Sequence, residues 1–271
     1  MRHGLTRRSG TTALVLVASA ALLAGCDVVV NSMDSERARA ERVWERSYTL
    51  TGPGARVEVV NVNGAITVET VDGDTLDVKA RIVTHGASDE AARELLKQVE
   101  IREDASAGSV RLQAAYPKQP RRVPLEVTYT IRAPRTAVLK FETVNGGVTV
   151  SGAAAGLTAE TTNGSIEGQA LGGDVEATTT NGSIKVQMAA LGGGGVSLET
   201  TNGSVDLRLP ADAKATVSAR CVNGGIAVND LPFERSGEGS RRKLDGTING
   251  GGAAVRLESV NGRIRVGRIA P

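Results

Sequence analysis

The feature that most constrains the fold of this chain is a repeat centred on the dipeptide Asn-Gly. Six copies place Asn145, Asn163, Asn181, Asn202, Asn223 and Asn261 in one column, at successive intervals of 18, 18, 21, 21 and 38 residues. An outlying earlier copy lies at Asn63, and Thr-Thr-Asn-Gly-Ser recurs identically at 161–165, 179–183 and 200–204. Because a short fixed period is the signature of repeat architectures, each copy is expected to be one structural unit.

Alternate positions around the asparagine are apolar or small in every copy. Six and four residues before it stand Leu139, Leu157, Val175, Val196, Val217 and Val255, then Phe141, Ala159, Ala177, Leu198, Ala219 and Leu257. Two before it stand Thr143, Thr161, Thr179, Thr200, Cys221 and Ser259, and three after it Val148, Ile166, Ile184, Val205, Ile226 and Ile264. This alternation predicts strands with one buried face. Its change of parity predicts a turn at Asn-Gly, where we expect positive φ angles.

Two all-β architectures satisfy this pattern. Asn-Gly between alternating strands is typical of a two-residue hairpin, which would give a β-meander or a sandwich of hairpins. The alternative is a parallel β-solenoid, in which each coil stacks on its predecessor in register. The identical pentapeptides favour the solenoid, because stacking like on like lets amide side chains form ladders between coils. The Gly clusters at 172–173 and 192–195 suit its tight corners.

The composition agrees with a thin interior. The 271 residues include 33 Gly but only 6 aromatic residues. Since aromatic side chains supply much of the buried area in ordinary cores, this core must consist mainly of Val, Ile, Leu and Ala.

The first 25 residues are typical of a lipoprotein signal peptide. A basic start precedes the apolar run 11–25, and Leu23-Ala24-Gly25-Cys26 resembles the bacterial lipobox. That resemblance implies cleavage before Cys26 and lipid attachment to its thiol, so the chain is expected to bind a membrane through Cys26. Without Arg2, Arg7 and Arg8 of the leader, 29 Lys and Arg face 30 Asp and Glu. The charge therefore gives no evidence for a nucleic-acid partner.

Beyond the leader, the sequence divides into three segments. Residues 26–47 are predicted to be a charged tether, and 48–135 a mixed module of strands with one short helix from Ser88 to about Val99. Residues 136–271 are predicted to be the Asn-Gly β-repeat solenoid, and 48–271 are expected to form one continuous domain. The module is expected to cap one open end, and the last strand to blunt the other. The insertion 231–244 is expected to be an exposed basic loop that covers an edge or binds an acidic partner; its cations are Arg235, Arg241, Arg242 and Lys243.

Several of these motifs together resemble a known bacterial family. The segments VNVNGAITV, YTIRAP, FETVNGGVTV, the serial TTNGS units and GTINGGGAAVRLESVNGRIRV look like the putative adhesin family, a domain of unknown function in exported and membrane-linked proteins. The resemblance runs from about Val57 to Val266. It implies a right-handed β-helix-like fold and an exported location, and it brings no catalytic residues with it.

One column could carry chemistry. Three residues before the asparagine stand Glu142, Glu160, Thr178, Glu199, Arg220 and Glu258, all expected to face outward. On coils about 4.8 Å apart, Glu142 and Glu160 would approach the carboxylate separation of a retaining glycosidase, about 5–5.5 Å. A carbohydrate-active enzyme that uses Glu142, Glu160, Glu199 and Glu258 is therefore one alternative, although charged residues on strand surfaces usually serve solubility.

The leading hypothesis is a non-enzymatic, lipid-anchored protein of the cell envelope, facing the periplasm or the cell surface. His85 is the single histidine after the leader, and no Cys/His cluster or phosphate-binding loop is present, so we expect no cofactor and no metal. An adhesin-like or scaffold role is predicted, with an unknown envelope protein or glycan as partner. An envelope stress or signalling component is a further alternative.

Overall fold

The computed structural model describes residues 38–52, 54–116, 125–238 and 240–270. The signal peptide, Cys26 and the first part of the tether lie outside these residues. The strands of the described ranges are β1 (Ala38–Thr49), β2 (Arg56–Val60), β3 (Ile66–Val71), β4 (Thr75–Gly86), β5 (Glu100–Ser106), β6 (Ser109–Ala115), β7 (Leu125–Pro134), β8 (Val138–Asn145), β9 (Val148–Ser151), β10 (Gly156–Asn163), β11 (Ile166–Leu171), β12 (Asp174–Asn181), β13 (Ile184–Met188), β14 (Val196–Asn202), β15 (Val205–Leu209), β16 (Ala215–Asn223), β17 (Ile226–Asn229), β18 (Phe233–Arg235), β19 (Lys243–Ile248), β20 (Ala253–Asn261) and β21 (Ile264–Arg268). Helix α1 spans Asp89–Lys97.

The strands form two long sheets that face each other across the core. One has 10 strands in the order β1-β4-β7-β3-β9-β11-β13-β15-β21-β17, and the other 11 in the order β18-β19-β16-β20-β14-β12-β10-β8-β2-β6-β5. Each Asn-Gly copy contributes one strand to each sheet, and the chain passes between the sheets at the Asn-Gly corner. A coil is named below after its asparagine, so that β10 and β11 form the Asn163 coil.

Neighbouring coils pair in parallel and in register. Leu157 lies beside Leu139 and Val175, and Asn163 beside Asn145 and Asn181. The hairpin alternative required antiparallel pairing across Asn-Gly and is wrong. The all-β solenoid with long parallel sheets is confirmed, while its right-handed sense stays a prediction.

The order of the coils departs from the sequence order at both ends. The Asn261 coil lies between the Asn202 and Asn223 coils, since β20 pairs with both β14 and β16. At the other end, β2 and β3 lie between the coil formed by β6 and β7 and the coil formed by β8 and β9. The expectations that every coil stacks on its predecessor, and that the last strand ends the solenoid, are therefore wrong.

Antiparallel strands replace coils at the outer edges. Strands β1 and β4 extend the 10-strand sheet beyond β7, while β5 extends the 11-strand sheet beyond β6. At the opposite end β19 pairs with β16, and β18 pairs with β19. The insertion expected as a loop thus contributes β18 and the first residues of β19, and it does cover an edge.

Residues 38–47 are part of β1 and not of a free tether. Strand β1 pairs with β4 along its whole length, from Ala38 with Gly86 to Thr49 with Thr75. Its charges serve this pairing, since Glu41 binds Arg81 and Glu45 lies 2.9 Å from Lys79. Strand β1 therefore contains the last ten residues of the segment 26–47 that was expected to be a tether.

The predicted helix is confirmed. Ser88 is its N-cap and accepts a hydrogen bond from the backbone N–H of Ala91. The helix buries one stripe, namely Ala92, Leu95 and Leu96. A single hydrophobic core runs from Ala40 to Val266, and Tyr129 and Phe141 are the largest fully buried side chains in it. The core is therefore as poor in aromatic residues as the composition predicts.

Candidate functional site

The asparagines of the repeat form one continuous ladder along the Asn-Gly edge. In the spatial order Asn63, Asn145, Asn163, Asn181, Asn202, Asn261, Asn223, the side-chain Nδ2 of each asparagine after the first donates to the Oδ1 of the one before it over 2.7–2.9 Å. All but the half-buried Asn63 are exposed. An amide has two donor hydrogens and two acceptor lone pairs. Each rung therefore retains hydrogen-bonding capacity toward solvent.

A second ladder fixes the same corners from inside. The hydroxyl two residues before the asparagine donates to the carbonyl of the Asn-Gly glycine in a neighbouring coil: Thr161 to Gly146 at 2.9 Å, and Thr200 to Gly182 at 2.8 Å. In the Asn223 coil the Cys221 thiol takes this place, 3.0 Å from the Gly262 carbonyl. The exposed amides thus stand on a rigid support, and Cys221 is a buried structural residue.

The glycine of each copy is required for a reason other than the one the sequence predicts. Of the seven glycines that follow an asparagine of the ladder, Gly64 alone has a positive φ. At the other six, an added Cβ would collide with the glycine carbonyl of the adjacent coil; at Gly182 it would lie 2.5 Å from the carbonyl carbon of Gly164. The expectation of positive φ was therefore wrong, because close stacking of backbones demands the glycine.

A ridge of β-branched side chains lies directly beside the amide ladder, and the sequence analysis missed it. Its members all precede an asparagine and face outward, in the spatial order Val62, Val144, Thr162, Thr180, Thr201, Val260, Val222. The four valines are the large apolar side chains that the described residues expose most, from 37% at Val62 to 56% at Val222. The sequence does contain a signal for this ridge, because the residue before the asparagine is β-branched in every copy.

The glutamate column lies on the outward face of the 11-strand sheet. Glu142 neighbours Glu160, and Glu199 neighbours Glu258, with Thr178 between the two pairs. Glu142 binds Lys140 at 2.7 Å and Glu258 binds Arg256 at 2.7 Å. The hydrogen bond that Lys140 donates to the Glu142 carboxylate raises the pKa of Lys140. The structure thus brings the glutamates together in pairs, but on an open surface where two of the four already bind neighbouring cations.

Other functional features can be placed only in part. Within the described ranges, no three His, Cys, Asp or Glu side chains group so as to hold a metal ion. The same part of the chain contains no helix long and apolar enough to span a membrane. The predicted lipid attachment residue, Cys26, lies outside it.

Comparisons with known proteins identify the architecture. The family model described as Toastrack DUF4097 matches residues 55–267. The crystal structure of a putative cell adhesion protein from Clostridium sporogenes is 13% identical, with a TM-score of 0.50, and the match covers 84% of this chain and all of the other. A putative adhesin from Bacteroides fragilis is also 13% identical, with a TM-score of 0.40 over 84% of this chain and 97% of its own. Among the curated proteins, none matches.

Proposed function

This chain belongs to the Toastrack DUF4097 family, and from that premise we propose that it is an exported, lipid-anchored binding protein of the bacterial cell envelope. Its binding surface is the Asn-Gly edge, defined as the amide ladder together with the β-branched ridge. Its partner is an extended envelope polymer, with a glycan as the best match in chemistry. Adhesion or scaffolding, not catalysis, is the role that this surface supports.

The observation that carries the proposal is the shape and order of the Asn-Gly edge. Six steps of about 4.8 Å make the seven-rung ladder about 29 Å long. It offers amide donors and acceptors beside an exposed Val and Thr ridge, which suits a polymer with hydroxyl groups and apolar C–H faces. Since both ladders fix the side chains before binding, little conformational entropy is lost when a partner is bound.

The sequence supports the anchor. Cys26 precedes the first described residue, Ala38, by 12 residues, which span at most about 40 Å when fully extended. A lipid on Cys26 would therefore keep the solenoid close to the bilayer while leaving the Asn-Gly edge free. A Cys26→Ser variant should move from the membrane fraction to the soluble fraction; a variant that stays in the membrane fraction would contradict the anchor.

The enzyme alternative has weaker support from the geometry. A glycosidase places two carboxylates on either side of a sugar bond within a binding cleft. Here Glu142 and Glu160 lie side by side on an outward sheet face, and Lys140 already binds Glu142. Hydrolysis of an envelope polysaccharide by the wild type, and its loss in Glu160→Gln, would overturn the binding role.

The edge is tested by altering the ridge without touching either ladder. Thr162, Thr180 and Thr201 are exposed at its centre, so changing all three to Gln roughens the surface without adding charge. The matched control changes Thr67, Thr130 and Thr149 to Gln, three exposed neighbours on the 10-strand sheet. In co-sedimentation with isolated envelope glycan, the ridge variant should lose at least tenfold in binding and the control less than twofold. Equal binding by both variants would rule out the Asn-Gly edge.

A further inference from the structure

The two coils at the Asn223 end carry several exposed arginines. Arg220 occupies the outward glutamate column, beside Glu258. Arg263 stands two residues after its asparagine, the position held by serine in the Asn163, Asn181 and Asn202 coils. Arg265 lies on the outward face of the 10-strand sheet, between Asp206 and Ala227. These three arginines therefore lie on both sheets and at the corner of the same end of the solenoid.

The insertion brings two more arginines to the same corner. The backbone carbonyl of Arg242 accepts the Cys221 N–H at 2.9 Å, and that of Arg241 accepts the Ile226 N–H at 3.1 Å. Residues 241 and 242 thus lie across the outer side of the Asn223 corner, where another coil would otherwise stack. Lys243 follows them and faces Arg220 in the antiparallel pair of β19 and β16.

These arginines have no anionic partner among the residues that the structure describes. Arg220, Arg241, Arg242, Arg263 and Arg265 are exposed, and none is within 4 Å of a described carboxylate. Three acids on the adjoining strands are already engaged: Asp206 by Arg208 at 2.7 Å, Glu258 by Arg256 at 2.7 Å, and Asp245 by Lys243 at 3.4 Å. Arg220 and Lys243 are like charges directly opposite each other on neighbouring strands, which is destabilising, so an external anion would relieve their repulsion.

We propose that this basic corner, formed by Arg220, Arg241, Arg242, Arg263 and Arg265, binds a linear, phosphate-bearing polyanion. Guanidinium groups form paired hydrogen bonds with phosphate oxygens, which makes arginine well suited to such a ligand. The cluster extends from the outward face of one sheet, around the convex corner, to the outward face of the other. A flexible chain can follow that path, whereas a flat bilayer cannot contact both faces at once. This inference goes beyond the proposed role of the Asn-Gly edge and uses different residues.

The test measures binding of labelled inorganic polyphosphate to the purified full chain by fluorescence anisotropy, over a range of NaCl concentrations. The test variant combines R220T, R241S, R242S and R263S. Threonine and serine occur at the same columns in Thr178 and Ser204, so two of the changes insert residues that the repeat already accommodates. The control combines R56S, R93S, R102S and R132S, four exposed arginines without a described ion pair elsewhere on the molecule.

The test variant should lose at least tenfold in affinity and the control less than threefold. Each phosphate contact contributes about 0.7 to the slope of log K against log[salt] for a single-stranded polyanion. Losing four contacts should therefore reduce the slope by about 3. If the quadruple variant fails to match the urea midpoint of the wild type, R263S alone should still lose about threefold.

Three results would overturn the proposal. The first is an equal loss in the test and control variants, which would indicate general electrostatic attraction. The second is competition by polyglutamate of equal charge that matches competition by polyphosphate. The third is arginine-dependent binding to anionic phospholipid vesicles without binding to polyphosphate, which would identify a membrane contact. The ridge variant of Thr162, Thr180 and Thr201 should bind polyphosphate like the wild type, so the two proposals can fail separately.

Discussion

Gly182→Ala tests whether backbone contact between coils is what demands glycine at the Asn-Gly corners. The new Cβ would lie 2.5 Å from the carbonyl carbon of Gly164, about 1 Å closer than the optimum between carbon atoms. Moving the two coils apart by that amount would stretch two side-chain hydrogen bonds beyond hydrogen-bonding range. These are the bond from Asn181 to Asn163, now 2.8 Å, and the bond from Thr179 to the Gly164 carbonyl, now 2.9 Å. Two backbone bonds of 3.0 Å across the same corner would lengthen with them.

The expected cost follows from these contacts. The loss of four hydrogen bonds, at about 1 kcal/mol each, sets an upper value for the loss of stability. Overpacking typically costs about 1–3 kcal/mol. We therefore expect Gly182→Ala to lower the free energy of unfolding by about 3 kcal/mol. With a urea m-value of about 2 kcal/mol/M, the midpoint would fall by about 1.5 M. Circular dichroism at equilibrium in urea measures this shift.

Gly193→Ala is the matched control. A Cβ at Gly193 meets no atom within 4 Å, and this residue is not among those with a positive φ. Alanine there should be neutral or stabilise by up to about 1 kcal/mol, because it restricts the unfolded chain. The reasoning is refuted if Gly182→Ala stays within about 0.5 kcal/mol of the wild type, or if Gly193→Ala loses as much as Gly182→Ala.

Substitutions at four further residues probe the polar groups of the corners and the core. Asn181→Asp replaces an amide donor of the ladder by a carboxylate that can donate only when protonated, which raises the aspartate pKa in the folded state. The protein should therefore be destabilised by about 1–3 kcal/mol at pH 7, and the loss should shrink as pH falls toward 3; a pH-independent loss in urea melts would contradict the ladder. Tyr116→Phe removes a 2.7 Å bond to Asn61 and should cost about 1 kcal/mol, whereas Tyr129→Phe should cost nothing, because that buried hydroxyl has no partner among the described residues. Cys221→Thr should match the wild type in thermal melts while Cys221→Ala loses about 1 kcal/mol, and equal losses would show that the bond to Gly262 contributes nothing.

The sequence predicts the repeating part of the fold well because stacking constrains each column independently. Leu157 must be apolar since it faces the core between two apolar neighbours, and Asn163 pairs with another asparagine on each side. Such columns are visible in a single sequence, so the strands, their parallel register and the corner residues follow from it. Helix α1 is predictable for a local reason, namely the Ser88 cap and the apolar stripe behind it.

Properties that depend on contacts between non-identical neighbours were not predictable in the same way. The acids and bases of residues 38–47 indicate a solvated tether, yet this segment pairs with residues of β4 that lie 30 to 48 positions away in the chain. The ridge was not predicted, because an exposed column that mixes Val and Thr resembles an ordinary strand surface until its neighbours are known. Its exposure beside the ladder became apparent once the asparagines were known to stack.

The position of the Asn261 coil, between the Asn202 and Asn223 coils, shows why similar repeats do not by themselves determine the order in which the coils stack. Every column is filled by similar residues, so the Asn223 coil could stack on the Asn202 coil as favourably as the Asn261 coil does. The linker between β15 and β16, residues 210–214, can span either one strand spacing or two, because five residues reach about 17 Å and two spacings are about 9.6 Å.

What distinguishes the two orders is the 38-residue interval after Asn223, which contains β18 and β19. These strands pair with the outer edge of β16 and with each other, so they occupy the side where a following coil would stack. The Asn261 coil can then only enter on the inner side, next to β14, and an interval well above 21 residues is the sequence signal for such an exchange.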